Sequence, residues 1–144
     1  MNKAARLEPL ADYAGKVETQ AARRLAASAQ VLAAKQREVE QLRGYLAEYR
    51  QRATLVDQTD PLRWQNARAF LAKLCEVVAL REAELGSAVE SYRVETERWQ
   101  DSYRRVKGLD KIVADAAQEA ALAGAKREQL ELDEHALRRV LEQG

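Results

Sequence analysis

Two prolines in 144 residues leave this chain few ways to stop a helix once one has started. Glycine is nearly as scarce, and aromatic residues make up only 6%. There is one cysteine, Cys75, so no internal disulfide is possible and a reducing compartment is expected. There is one histidine, His135. No His/Cys cluster has metal-ligand spacing, and no glycine-rich phosphate loop occurs. The carboxylates stand beside basic residues, as in Arg37-Glu38 and Glu97-Arg98, which reads as solvated helix surface. No apolar run approaches the roughly 18–20 residues of a membrane span, and no signal peptide opens the chain. Charge of one sign is missing as well: 10 Lys and Arg stand against 8 Asp and Glu in residues 1–60, and 14 against 15 in 61–144. No basic block is available for nucleic acid or an anionic membrane. The expectation is a soluble cytoplasmic protein with no catalytic residue, cofactor or metal.

What is present is charge, 33% of the residues, mixed with Ala, Leu, Glu, Arg and Gln, a coiled-coil composition. The one clear interior stop is Asp57-Gln58-Thr59-Asp60-Pro61. Pro61 suits the first position of a helix, and Asp60 is placed to cap it. Heptads run on both sides without a shift. On the first helix, position a is Ala11, Glu18, Leu25, Leu32, Val39, Leu46 and Ala53. Position d is Leu7, Ala14, Ala21, Ser28, Lys35, Leu42, Tyr49 and Val56. On the second, position a runs from Trp64 through Leu71, Val78 and Leu85 to Leu141, and position d from Ala67 through Leu74, Arg81 and Ala88 to Leu137. A strict seven-residue repeat of this length implies a supercoiled helix pair. The predicted fold is all-α: one two-helix antiparallel coiled-coil hairpin over 1–144, with helix 1 at about 9–56, a turn at 57–61 and helix 2 at about 61–142.

Folding about residue 59 sets residue i opposite about 118 − i. Lys35 then lies near Ala83 and Glu84, and Ala21 near Glu97. Lys35, Arg81, Glu95, Arg127 and Glu134 are charged at seam positions, where such residues fix register at a cost in stability. Gly44 and Gly86 are candidates for close helix approach, and Gly108 for a break. Residues 1–8 are expected to fray ahead of Pro9. The hairpin then pairs to about residue 110, and Ile112 to Gly144 overhangs. The overhang's apolar stripe, Val113, Leu130, Leu137 and Leu141, has no mate in the chain. At 1.5 Å per residue, helices of about 50 and 80 residues would span roughly 75 and 120 Å, enough to bridge two partners.

Aromatic residues gather near the turn. Tyr45 and Tyr49 are one turn apart on helix 1, as are Phe70 and Leu74 on helix 2, and the pairing rule sets all four at one level. Tyr49 and Leu74 are seam positions. Tyr45 and Phe70 fall at position g, on the seam's edge, where a ring is partly wet and either pads the seam or meets a partner. Cys75, at position e, reads as a small apolar filler.

These residues carry a family resemblance. The start of helix 1 (Leu7, Leu10, Asp12, Ala14, Ala21-Ala22-Arg23, Leu25), the segment Tyr45-x-x-Glu48-Tyr49-Arg50, and Arg63-Trp64-x-Asn66 followed by Phe70 and Leu74 resemble FliJ proteins of the flagellar type III export apparatus. Asp133-Glu134 and Arg138-Arg139 are similar to that family's looser charged C-terminal pattern. Pro9, Gly15 and Gly124 depart from it. The resemblance implies a non-enzymatic hairpin similar to the γ subunit of rotary ATPases. It implies a place at the cytoplasmic face of the inner membrane, at the flagellar base. The implied partners are the hexameric export ATPase, the export gate protein (FlhA-like) and export chaperones. It carries a gate-binding patch over to Leu42, Tyr45, Tyr49, Phe70, Leu74, Val77 and Arg81; Glu38 stands where the family often has an amide. The ATPase contact is expected on the open end, at Val113, Arg127, Leu130, Leu137 and Leu141. The alternatives are the stalk of a virulence type III secretion system and a scaffold coiled coil that self-associates through the overhang.

Overall fold

A computed structural model describes residues 3–143. Helix α1 runs Lys3–Ala53 and helix α2 runs Pro61–Gln143, and no other regular element occurs among the described residues. The turn between them is built as its residues require. The Asp57 side chain accepts the Thr59 N–H at 2.9 Å, closing a local turn. Asp60 caps α2: its side chain accepts the Arg63 N–H at 3.3 Å, and its carbonyl accepts the first helical bond from Trp64. Pro61 takes the first helical position, where a missing N–H costs nothing.

The helix contacts fall into two units, one of residues 21–99 and one of 1–20 with 100–144. In the first unit α1 and α2 pair as an antiparallel hairpin. Its densest packing joins Leu46, Leu74 and Val78, with Leu42, Tyr49, Leu71 and Cys75 against them. Val39 is the one large side chain that is almost wholly buried, at 1% exposure. Burial of a Leu or Val side chain contributes about 1.5–3 kcal/mol, so these few side chains carry much of the unit's stability. The second unit has a thinner interior, since its buried residues are Ala4, Ser102 and Ala116. Beside them lies an open apolar groove of about 470 Å³, lined among others by Leu10, Tyr13, Val17, Leu109 and Ile112. Every buried residue in both units falls on position a or d of the heptads.

Two pairings that the rule sets opposite are met to within a residue. Lys35 meets Glu84 at 3.1 Å, and the Tyr49 and Phe70 rings face each other. Three expectations are corrected. Helix α1 does not wait for Pro9: it begins by Lys3, and Pro9 lies inside it. A proline this near an N-terminus removes one helical bond, and the alanines and leucine around it are good helix formers that carry the turn. Of the residues expected to fray, 1 and 2 lie outside the described ones. Since α1 starts earlier, pairing also runs further. Val113 is half-buried, Ala116 is 5% exposed, and Ala120 and Gly124 are half-buried. Only from 125 to 143 is every residue exposed. The glycines have no special part either. A Cβ at Gly44 or Gly86 would meet nothing within 4 Å, so neither permits a close approach. Gly108 lies within unbroken helix with no positive φ.

Two outcomes test this packing. Leu46→Asp should lower unfolding stability by about 3 kcal/mol or more, because it buries an unpaired charge; chemical denaturation matching that of the parent chain contradicts it. In amide hydrogen exchange, residues 125–143 should exchange fast and Leu71–Leu85 slowly, since only the latter are held by tertiary packing.

Candidate partner-binding site

Position g explains why rings are exposed beside the turn. Position g flanks the seam, so a side chain there covers the core with one side and meets water with the other. Phe70 is 45% exposed, Tyr45 47% and Val77 40%, against 8% for the seam residue Leu74. The Phe70 ring packs on Tyr49, with centroids 4.5 Å apart and planes tilted by 45°, within the contact range of aromatic pairs. Tyr49 and Leu42 are half-buried and pack on the core cluster. The expected gate patch therefore has two layers. Tyr45, Phe70 and Val77 are accessible; Leu42, Tyr49 and Leu74 hold them up from beneath. Leu74 belongs to the core.

The seventh residue of that patch, Arg81, is engaged inside the hairpin. It reaches Glu38 at 2.9 Å and Glu84 at 2.8 Å, while Lys35 reaches Glu84 at 3.1 Å and Glu38 at 3.8 Å. Two cations from seam positions and two carboxylates from position g thus form a closed quartet across α1 and α2. Hydrogen bonding from Lys35, with the Arg81 and Lys35 charges, holds the Glu84 carboxyl below its ordinary range. The side chains are about one-third exposed, so water screens the attraction and the quartet adds little net stability. Its effect is on register. A one-heptad slip in either direction would leave all four charges without a partner of opposite sign, three facing an apolar or aromatic residue and one a serine. Arg43 and Glu82, at 3.0 Å, add a cross-helix pair on the opposite edge.

An open cavity of about 700 Å³ lies between this patch and the turn. Tyr49 and Phe70 line it together with Arg52, Asp57, Arg63 and Asn66. Of these, Arg63 and Asn66 stand in the sequence only as matches to a family pattern, and Arg52 belongs to no motif. The signal was available: Arg52 and Arg63 fall at position g, one heptad from Tyr45 and Phe70. Leu10, Val17 and Ile112, in the other unit's groove, also fall at position g; Leu10 and Ile112 are exposed and Val17 is half-buried.

The residues expected to meet an ATPase divide. Val113 is half-buried within the paired helices, because α1 begins earlier than expected. Arg127, Leu130, Leu137 and Leu141 are exposed, the leucines at 63%, 59% and 71%. No group of three or more His, Cys, Asp or Glu able to hold a metal ion occurs among the described residues. No helix among them is long and apolar enough to cross a membrane.

Register control by the quartet has a charge-exchange test. Lys35→Glu alone should lower the melting temperature by creating repulsion with Glu38 and Glu84, and Lys35→Glu with Glu84→Lys should recover most of the loss. The pH dependence follows in sign. Glu84 has a folded pKa below its unfolded one, so its contribution is full above the unfolded value and is lost as pH falls through the folded value. An acid melting curve should therefore be flatter for Glu84→Gln than for the parent in that window.

Comparison with known proteins adds one match. The pattern of the family described as flagellar FliJ protein matches residues 2–144. No curated protein and no solved structure matches. A helical hairpin with a heptad seam, matched over essentially its whole length, belongs to the flagellar FliJ protein family, whose members are coiled-coil proteins of flagellar export.

Proposed function

We propose that this chain is the non-enzymatic coiled-coil stalk of the flagellar type III export apparatus. In this reading it links the hexameric export ATPase to the export gate and assists delivery of chaperones and their substrates. It works at the cytoplasmic face of the inner membrane. The hairpin around the turn meets the gate through Tyr45, Phe70 and Val77, with Leu42, Tyr49 and Leu74 supporting them. The exposed end of α2, with Arg127, Leu130, Leu137 and Leu141, meets the ATPase.

The observation that supports this reading is the half-exposed aromatic edge. In a protein with 6% aromatic residues, Tyr45, Tyr49 and Phe70 fall within one stretch of paired helix, and two of them are wet. Seam stability does not require a phenyl ring at position g, since a lysine or glutamate stem covers the core there and keeps its charge in water. An exposed ring beside an apolar shoulder is the usual form of an interface anchor. Leu130, Leu137 and Leu141 repeat the argument on α2, as an apolar stripe without a covering helix.

Loss of an aromatic anchor from an interface costs about 2 kcal/mol, roughly thirtyfold in affinity. Phe70→Ala should therefore weaken binding to the export gate by about that factor, with helical content and ATPase binding unchanged. Leu130→Ala with Leu137→Ala should do the reverse. Pull-downs of each variant against gate and ATPase separately decide the matter. Full gate binding by Phe70→Ala, or joint loss of both partners, contradicts the reading.

A further inference from the structure

The cavity beside the turn has a charge pattern that the aromatic edge does not explain. Its apolar part is the ring pair Tyr49 and Phe70 with Leu55, Val56 and Ala67, and Arg52 and Arg63 reach it from opposite helices. Among the described residues neither guanidinium has an ion-pair or hydrogen-bond partner. The other arginines nearby are engaged: Arg50 points to the Cys75 sulfur at 3.7 Å, and Arg68 lies over the Trp64 ring at 4.7 Å. The nearby carboxylates are engaged too. Asp57 accepts the Thr59 N–H, which holds its carboxyl below the usual range, and Asp60 caps α2. Arg52 stands in the last turn of α1, where a cation is locally favourable. Arg63 has no such reason. It stands in the first turn of α2, facing the positive end of the helix dipole, in a turn without an acidic residue.

Two unpaired guanidiniums flanking an apolar floor are complementary to carboxylates flanking an apolar side chain. We propose that this cavity docks an acidic segment of a partner protein, with an aromatic or aliphatic side chain on Tyr49 and Phe70 and carboxylates on Arg52 and Arg63. Asn66 supplies an amide that suits a peptide backbone. An anionic lipid surface fits less well, since Asp57 stands in the lining and a plane of phosphates does not enter a cavity between helices. The recognition chemistry stands on the cavity alone; its assignment to the export gate rests on the proposed function.

The test selects a displayed library of random short peptides on the intact chain and on an Arg52→Gln, Arg63→Gln double variant. Circular dichroism checks that the variant keeps its helices. The parent should enrich peptides with Asp or Glu beside an aromatic or aliphatic residue, and the double variant should lose that enrichment. A selected peptide should bind roughly tenfold more weakly for each arginine removed, as for a lost charge-assisted hydrogen bond. Its salt dependence should flatten, whereas Phe70→Ala should lower affinity without that flattening. Enrichment of neutral or basic peptides, no enrichment, or undiminished binding by the double variant overturns the proposal. So does tighter binding of phosphatidylglycerol vesicles than of any selected peptide through the same two arginines. Titration of the gate's cytoplasmic part separates the two readings. Gate binding that is lost with Phe70→Ala but kept by the double variant overturns this inference alone. Acidic-peptide selection with a gate indifferent to all three substitutions overturns the gate assignment alone.

Discussion

The constraint on which the rest of the structure depends is that a pair of helices buries only one line of side chains. Each helix turns a single stripe toward the other, so only positions a and d leave water. Among the described residues nine are buried in this way, from Ala4 to Ala116, and the largest among them are leucine and valine. Hydrophobic stabilisation therefore comes in small amounts along the seam, highest around Leu46, Leu74 and Val78 and lowest where the interior is alanine and serine. Everything off the seam stays wet, which accounts for a composition one-third charged.

A seam so regular does not by itself choose a register, because a leucine accepts another leucine one heptad away. The charges resolve this. Lys35 and Arg81 occupy seam positions at which burial without a partner would be costly. Glu38 and Glu84 reach in from position g to meet them. The quartet gives up some apolar packing for one alignment of α1 against α2. That alignment places Tyr49 against Phe70 and gathers Arg52 and Arg63 at one cavity.

Position g is also where the seam leaves room for function. Its residues are not needed whole by the core, so the edge accepts rings, arginines or carboxylates with little effect on folding. Around the turn the edge changes character over two heptads on α1 and three on α2, from the glutamates of the quartet, through Tyr45, Phe70 and Val77, to the two arginines at the cavity. A surface that passes from paired charge to apolar to unpaired positive charge suits a partner with an anchor and an acidic flank.

The sequence by itself determined the helices, the turn at Asp57–Pro61, the seam and the level at which Tyr45, Tyr49, Phe70 and Leu74 meet. Each of these follows from spacing along one chain: a seven-residue period, a proline with a capping aspartate, and reflection about the turn. Tertiary structure alone decided what depends on competition between neighbours. The sequence showed a proline near the start of α1, and only the paired helices showed that the turns before it hold. That shift buries Ala4 and brings Val113 and Ala116 into the pairing. The heptad places Leu74 on the seam and Phe70 on its edge, and packing sets how far each is covered. The fold buries one to 8% and leaves the other at 45%, because a rotation of about one position around a helix separates seam from edge. Which arginines are paired was likewise not legible in the chain. Ion pairing depends on what the opposite helix brings within about 4 Å, a distance smaller than one helical turn.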